Sequence, residues 1–219
     1  MNAQTERLSL TGPAGAIEAV RDAPAAGAPA RGVAVIAHPH PLFGGTMDNK
    51  VVQTLARAFV QAGWTALRFN FRGVGASSGT HDQGRGELQD LLAVVQQLAP
   101  PAADGLPALA LAGFSFGAFV TSHALAALWR ERPIAHVVLV GTATTRFAVA
   151  PVPPEAQLRP LVLHGEQDDV VPLASVFDWA RPQALPVTVI PGGGHFFHGQ
   201  LPLLKSLVLR HLRATADDA

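Results

Sequence analysis

Short apolar runs alternate along most of the chain with stretches in which apolar residues return every three or four positions. Val33 to Ala37, VAVIA, reads as a strand buried on both faces. In Asn49 to Ala62 the residues Val52, Leu55, Ala56 and Phe59 recur at helical spacing, and Gly63 stops that helix. Trp64 to Phe69 is the next strand, and Glu87 to Leu98 a helix ended by Pro100 and Pro101. Leu109 to Ala112 then reads as strand and Phe116 to Arg130 as helix. Val137 to Val140, Leu161 to Leu163 and Val187 to Ile190 are the remaining strands, and Leu203 to Leu212 is a closing helix. Near the start, Leu8 to Leu10 and Ile17 to Val20 predict an antiparallel hairpin at one sheet edge. The Pro/Gly/Ala-rich stretch Arg21 to Gly32 reads as an exposed loop. Strands alternating with helices predict an α/β fold: an open, mostly parallel sheet with helices on both faces. In such sheets ligands gather beyond the carboxyl ends of the strands, so chemistry is sought there.

Composition narrows the picture. The 219 residues fit one domain, 1–219, with no repeat and no low-complexity tract. The absence of cysteine excludes disulfides, thiolate catalysis and Cys-held metal clusters. Sixteen basic residues balance sixteen acidic ones without a basic cluster, which argues against a nucleic-acid partner. The start, MNAQTERLSL, lacks the basic-then-apolar pattern of a secretory signal, and no apolar run reaches membrane-spanning length. The expectation is a soluble cytoplasmic protein, monomer or homodimer.

Gly113-Phe114-Ser115-Phe116-Gly117 matches G-x-S-x-G between a strand, LALA, and a helix-forming run. That setting suits a serine held on a very tight turn with its hydroxyl projecting from the sheet. A helix-capping serine between turn glycines is the competing reading. A serine nucleophile needs a base, normally histidine, and a carboxylate that orients the imidazole. His195 lies in the glycine-rich loop after the last predicted strand, with His198 as its rival. Glu166, Asp168 and Asp169 follow the preceding strand and are the acid candidates. The chain order serine, acid, histidine is that of one hydrolase fold and differs from chymotrypsin and subtilisin.

With these motifs in order, the sequence resembles the α/β-hydrolase superfamily, and within it small bacterial serine hydrolases related to dienelactone hydrolase and short-chain carboxylesterases. The resemblance runs from about Val33 to Leu212. HGEQDDVVP resembles the family's H-G-x-x-D-x-x-V-P segment and selects Asp168, four residues before Pro172; GGGHFFHG selects His195; GFSFG resembles the nucleophile turn, and NFRGVGASSG the loop after the strand that precedes the nucleophile strand. HPHPLFGG, His38 to Gly45, stands in the place of the oxyanion loop but departs from the commoner H-G, because Pro39 and Pro41 have no N–H to donate. The resemblance implies Phe116 as one oxyanion donor and Leu42, or else His40, as the second.

The implied activity is hydrolysis of small carboxylic esters through an acyl-enzyme, with Ser115, Asp168 and His195 as triad and no cofactor. Amidase, peptidase or thioesterase action on the same triad is the alternative, with a non-catalytic binding protein behind it. A metal site built from His38, His40, His195 and His198 is a further alternative, and the expectation is that no metal is bound. The interval Gly141 to Arg159 is short and not helix-periodic, which predicts no lid and an open cleft. Phe43, Phe116, Phe147, Phe196 and Phe197 are the candidates to line it, with Phe43, Phe147 and Phe196 as substrate contacts.

Overall fold

Buried alternation decides how the strands face. A computed structural model describes residues 5–24, 30–100, 107–157 and 159–214. In the strand β3 (Val33–Ala37), Val35 and Ala37 join one hydrophobic cluster while Ala34 and Ile36 join another on the opposite face. The strand β5 (Leu109–Phe114) divides the same way, with Leu109 and Leu111 on one side and Ala110, Ala112 and Phe114 on the other. Side chains alternate across a strand, so a run apolar at every position must be covered twice. Helices α2 (Arg85–Leu98), α3 (Phe116–Leu128) and α4 (Leu173–Ala180) cover the first face. Helices α1 (Lys50–Gln61) and α5 (Leu201–Ala214) cover the second.

Eight strands form one sheet in the order β1-β2-β4-β3-β5-β6-β7-β8. The hairpin β1 (Thr5–Gly12) and β2 (Gly15–Asp22) forms the predicted antiparallel edge and pairs with β4 (Thr65–Phe69). From β4 through β3, β5, β6 (Ile134–Val140), β7 (Pro160–Gly165) and β8 (Val187–Ile190), every pairing is parallel. The chain winds one way from β3 to β4 and the other way from β5 onward. The adjacent β3 and β5 therefore open a crevice at their carboxyl ends, the place where such sheets hold ligands.

Strand ends extend past the apolar runs. β5 continues through Gly113 and Phe114, which still pair with Leu139 and Val140. β6 begins three residues before Val137 because Ile134 and His136 already join the ladder. α3 ends at Leu128, two residues short of the predicted Arg130. Between β6 and β7 the described residues contain a single 3-10 turn, Pro154–Ala156, and no helical cap. Part of the predicted loop Arg21 to Gly32, residues 25–29, lies outside the described residues, as does Pro101. No helix among the described residues is long and apolar enough to cross a membrane.

Candidate active site

Ser115 stands between β5 and α3 with φ 57° and ψ −116°, a conformation that L-residues with a Cβ adopt at a cost. The flanking glycines make the turn sterically feasible. A Cβ on Gly113 would sit 2.4 Å from the Gly117 carbonyl oxygen, and one on Gly117 would sit 2.4 Å from that of Ala37. Strand, turn and helix thus approach to backbone contact. The turn presents Ser115 at the crevice, 8% exposed.

His195 and Asp168 reach it from the loops after β8 and β7. His195 Nε2 is 3.0 Å from Ser115 Oγ, and His195 Nδ1 is 2.7 Å from Asp168 Oδ2. A carboxylate only accepts, so in the neutral ring the proton sits on Nδ1 and Nε2 accepts from the serine hydroxyl. The other carboxylate oxygen, Oδ1, accepts from the N–H groups of Val170 (3.0 Å) and Val171 (2.7 Å). Burial pushes the Asp168 carboxyl up. The hydrogen bonds from His195 and Val171 and the nearby His195 and His164 rings outweigh it, and the net shift is downward. His164, fully buried, donates from Nε2 to the Val171 carbonyl (2.8 Å) and lies 3.5 Å from Asp168 Oδ2, so it braces the acid's loop.

The rival candidates lie elsewhere. His198 is exposed, Asp169 is exposed, and Glu166 accepts from the Gly192 N–H (2.8 Å) outside the crevice.

The H-P-H-P loop corrects one expectation. The Leu42 N–H already donates to His40 Nδ1 (3.2 Å) inside a 3-10 turn, Pro41–Phe43, and the Leu42 side chain is 69% exposed. Leu42 therefore does not turn its donor into the crevice. The backbone N–H of His40 donates to no described group, and His40 borders the cavity beside Ser115. The N–H of Phe116, at the first helical position of α3, has no intrahelical acceptor.

His38 anchors this loop from behind. Its Nε2 accepts from the Phe71 N–H (3.0 Å), which places the ring proton on Nδ1, 2.6 Å from the Pro39 carbonyl oxygen. Both nitrogens are thereby committed to backbone groups, leaving no lone pair for a metal. Burial lowers its pKa to about 4, against the raising effect of the Pro39 carbonyl. The sequence offered His38 as a candidate metal ligand and gave no sign of this bracing role, because its partner Phe71 lies thirty-three residues away.

A cavity of about 350 Å³ opens over Ser115 and His195. Phe43, Phe116, Phe147 and Phe196 border it, as expected. Phe197 does not: it is fully buried in the core against α5. Val170, Val171 and Arg146 complete walls that the sequence had not singled out.

Strand order, strained serine and crevice together define an α/β-hydrolase architecture. The chain belongs to the α/β-hydrolase fold family, whose sequence profile matches residues 40–160. A Xanthomonas campestris protein described as an α/β serine hydrolase without lid is similar at 34% identity, with a TM-score of 0.84 covering 98% of this chain and 96% of that one. An α/β serine hydrolase homologue from Coxiella burnetii is 36% identical, with a TM-score of 0.78 over 94% of this chain and 97% of that one. An uncharacterized protein of Rickettsia prowazekii (strain Madrid E) is 33% identical over 207 residues, 87% of this chain and 82% of that one.

Proposed function

We propose that this protein is a serine hydrolase that cleaves small carboxylic esters through an acyl-enzyme. The observation that carries this reading is the continuous row Ser115 Oγ, His195 and Asp168, with contacts of 3.0 and 2.7 Å. His195 Nε2 takes the hydroxyl proton as Ser115 Oγ attacks the ester carbonyl, and Asp168 stabilises the imidazolium that forms. The developing oxyanion is held by the N–H groups of Phe116 and His40. The first of these stands at the positive end of α3. Loss of one such donor in comparable sites costs about 2.7–4 kcal/mol of activation free energy. His195 returns its proton to the leaving alkoxide, then activates the water that releases the acid. Atoms from this chain and water suffice for every step, and the partner is a small ester.

The missing cap and the apolar walls favour short or flexible substrates that enter directly from solvent. Labelling with a fluorophosphonate probe tests the nucleophile: the wild type is expected to label and a folded Ser115→Ala variant to stay unlabelled. Persistent labelling of that variant removes Ser115 from the scheme. A series of p-nitrophenyl esters from acetate to decanoate, set beside a matched amide and thioester, then reads the bond cleaved and the acyl length preferred.

A further inference from the structure

The cavity walls are mostly apolar and aromatic, with Asn49 and Thr145 among the polar members and a single charge. Among the described residues that border it, Arg146 alone is ionic at neutral pH, and no carboxylate is included. Arg146 projects from the connection between β6 and β7, and its guanidinium carbon lies 5.6 Å from the centroid of the Phe43 ring. Phe43 is itself 72% exposed at the cavity mouth. Ion pairs among the described residues engage Arg7, Arg21, Arg68, Arg72, Arg85 and Arg181, and Arg146 is in none of them. A cation resting on an aromatic face is held weakly, so the guanidinium keeps its fork of N–H donors for a stronger acceptor.

Backbone dipoles at the crevice have the same sign, and the Asp168 carboxylate behind them is already engaged by His195 Nδ1 (2.7 Å). The α3 N-terminus and the two free N–H groups point positive ends at the crevice. His40 is shifted to lower pKa, first by burial and then by the charges of His81 and Arg146, against a smaller raising effect of Glu87.

We propose, building on the esterase reading above, that the preferred substrates are esters carrying a carboxylate remote from the scissile bond, which pairs with the Arg146 guanidinium at the mouth. The remote carboxylate is a spectator: the ester C–O bond breaks and water supplies the hydroxyl and the proton as before. Phe43 and Phe147 border the path along which the intervening methylenes would lie.

The test uses two matched pairs, monoethyl adipate against ethyl hexanoate, and an ester with the carboxylate on its alkoxy part against its neutral counterpart. Hydrolysis is followed by pH-stat in the wild type, Arg146→Gln and Arg146→Lys. At low salt the wild type is expected to favour at least one charged ester by about tenfold in kcat/KM, mostly through KM. Arg146→Gln should erase that preference by lowering kcat/KM for the charged ester about tenfold more than for its neutral partner, and Arg146→Lys should keep part of it. Raising the salt should shrink the wild-type preference. A wild type indifferent to charge, or a preference that survives in Arg146→Gln, overturns the proposal while hydrolysis of the neutral esters leaves the esterase reading standing. If no ester is cleaved, the esterase reading fails by itself. Protection of Ser115 from fluorophosphonate then decides the pocket: monoethyl adipate protecting where ethyl hexanoate does not supports the anion site, and equal protection overturns it.

Discussion

Two loops border the same crevice and are held by different forces. The turn at Ser115 is held by sterics: backbones in contact at Gly113 and Gly117, a residue at positive φ, and no titratable group within the pentapeptide. The H-P-H-P loop is held by imidazoles. His38 ties it to Phe71 and His40 closes the turn through Leu42. Steric definition is insensitive to pH and tolerates almost no substitution at Gly113 and Gly117. Definition by neutral histidine rings tolerates side-chain changes on the outside but fails when the rings take up protons. If the proposed roles hold, a site assembled from both should lose its nucleophile geometry only with the fold, and its oxyanion geometry sooner.

The largest effect expected falls on the row that starts at the Ser115 turn. Asp168→Asn would present an amide N–H toward His195 Nδ1, so the ring would carry its proton on Nε2 and could no longer accept from Ser115. Activity should fall by about 10⁴-fold with the fold intact, as loss of the correct tautomer does in related triads. Ester turnover beside a thermal melt checks it; a loss of less than about tenfold would sever Asp168 from the mechanism.

Acid should act next, and on the histidine-held loop. His38 has a folded pKa of about 4 against an ordinary 6.5. The unfolded chain therefore binds this proton more readily than the fold, and stability from His38 declines as pH falls from about 6.5 toward 4. Its loss across that window is at most about 3 kcal/mol. His136 is lowered in the same way, to about 4, so the total slope has more than one source. Asp168, lowered from an already acidic value, contributes stability that is lost only below this window. His38→Gln can still accept from the Phe71 N–H but does not titrate. Urea midpoints against pH should show it less stable at neutrality and flatter toward acid than the wild type; parallel curves would remove His38 from the pH response.

Within the loop, the side chains should separate cleanly. His40→Ala leaves the His40 backbone N–H but removes the acceptor that closes the turn, and ester kcat/KM should drop by about tenfold through a displaced donor. Leu42→Ala touches an exposed side chain and should change stability by less than about 0.5 kcal/mol and kinetics not at all. Equal losses in both variants would mean that the turn as a whole, not the imidazole, sets the donor.

This contrast also explains what could be read from the chain before any coordinates. The Ser115 turn was legible because its requirements are local: glycines at two fixed offsets, a strand before, a helix after. The parallel sheet was legible because VAVIA and LALA are apolar at every position, which only two-sided burial explains. Strand ends were less so, since Gly113 and His136 carry no apolar signal yet remain in the ladder. The 3-10 turn Pro41–Phe43 is too short to show a period, and the contact that takes the Leu42 N–H depends on where one imidazole swings. The choice between Leu42 and His40 was illegible for a physical reason: motif position ranks donors, whereas only conformation says which N–H is already occupied. Arg146 went unnoticed as an isolated charge in an irregular connection, with Phe43 about a hundred residues away in sequence.

The smallest effect tests the steric half of the contrast directly. Holding Ser115 at φ 57° costs about 1–3 kcal/mol in a residue with a Cβ. Ser115→Ala keeps that Cβ and should leave stability nearly unchanged. Ser115→Gly releases the strain but adds freedom to the unfolded chain, a cost of about 0.5–1 kcal/mol. The two terms leave the glycine variant more stable than the alanine variant by about 1 kcal/mol, although both lack the nucleophile. Chemical denaturation of the pair, compared at one pH above the histidine window, reads this difference. A glycine variant no more stable than the alanine one would mean that the turn stores no strain, and that its geometry is imposed by the loops packed around it and not by the pentapeptide itself.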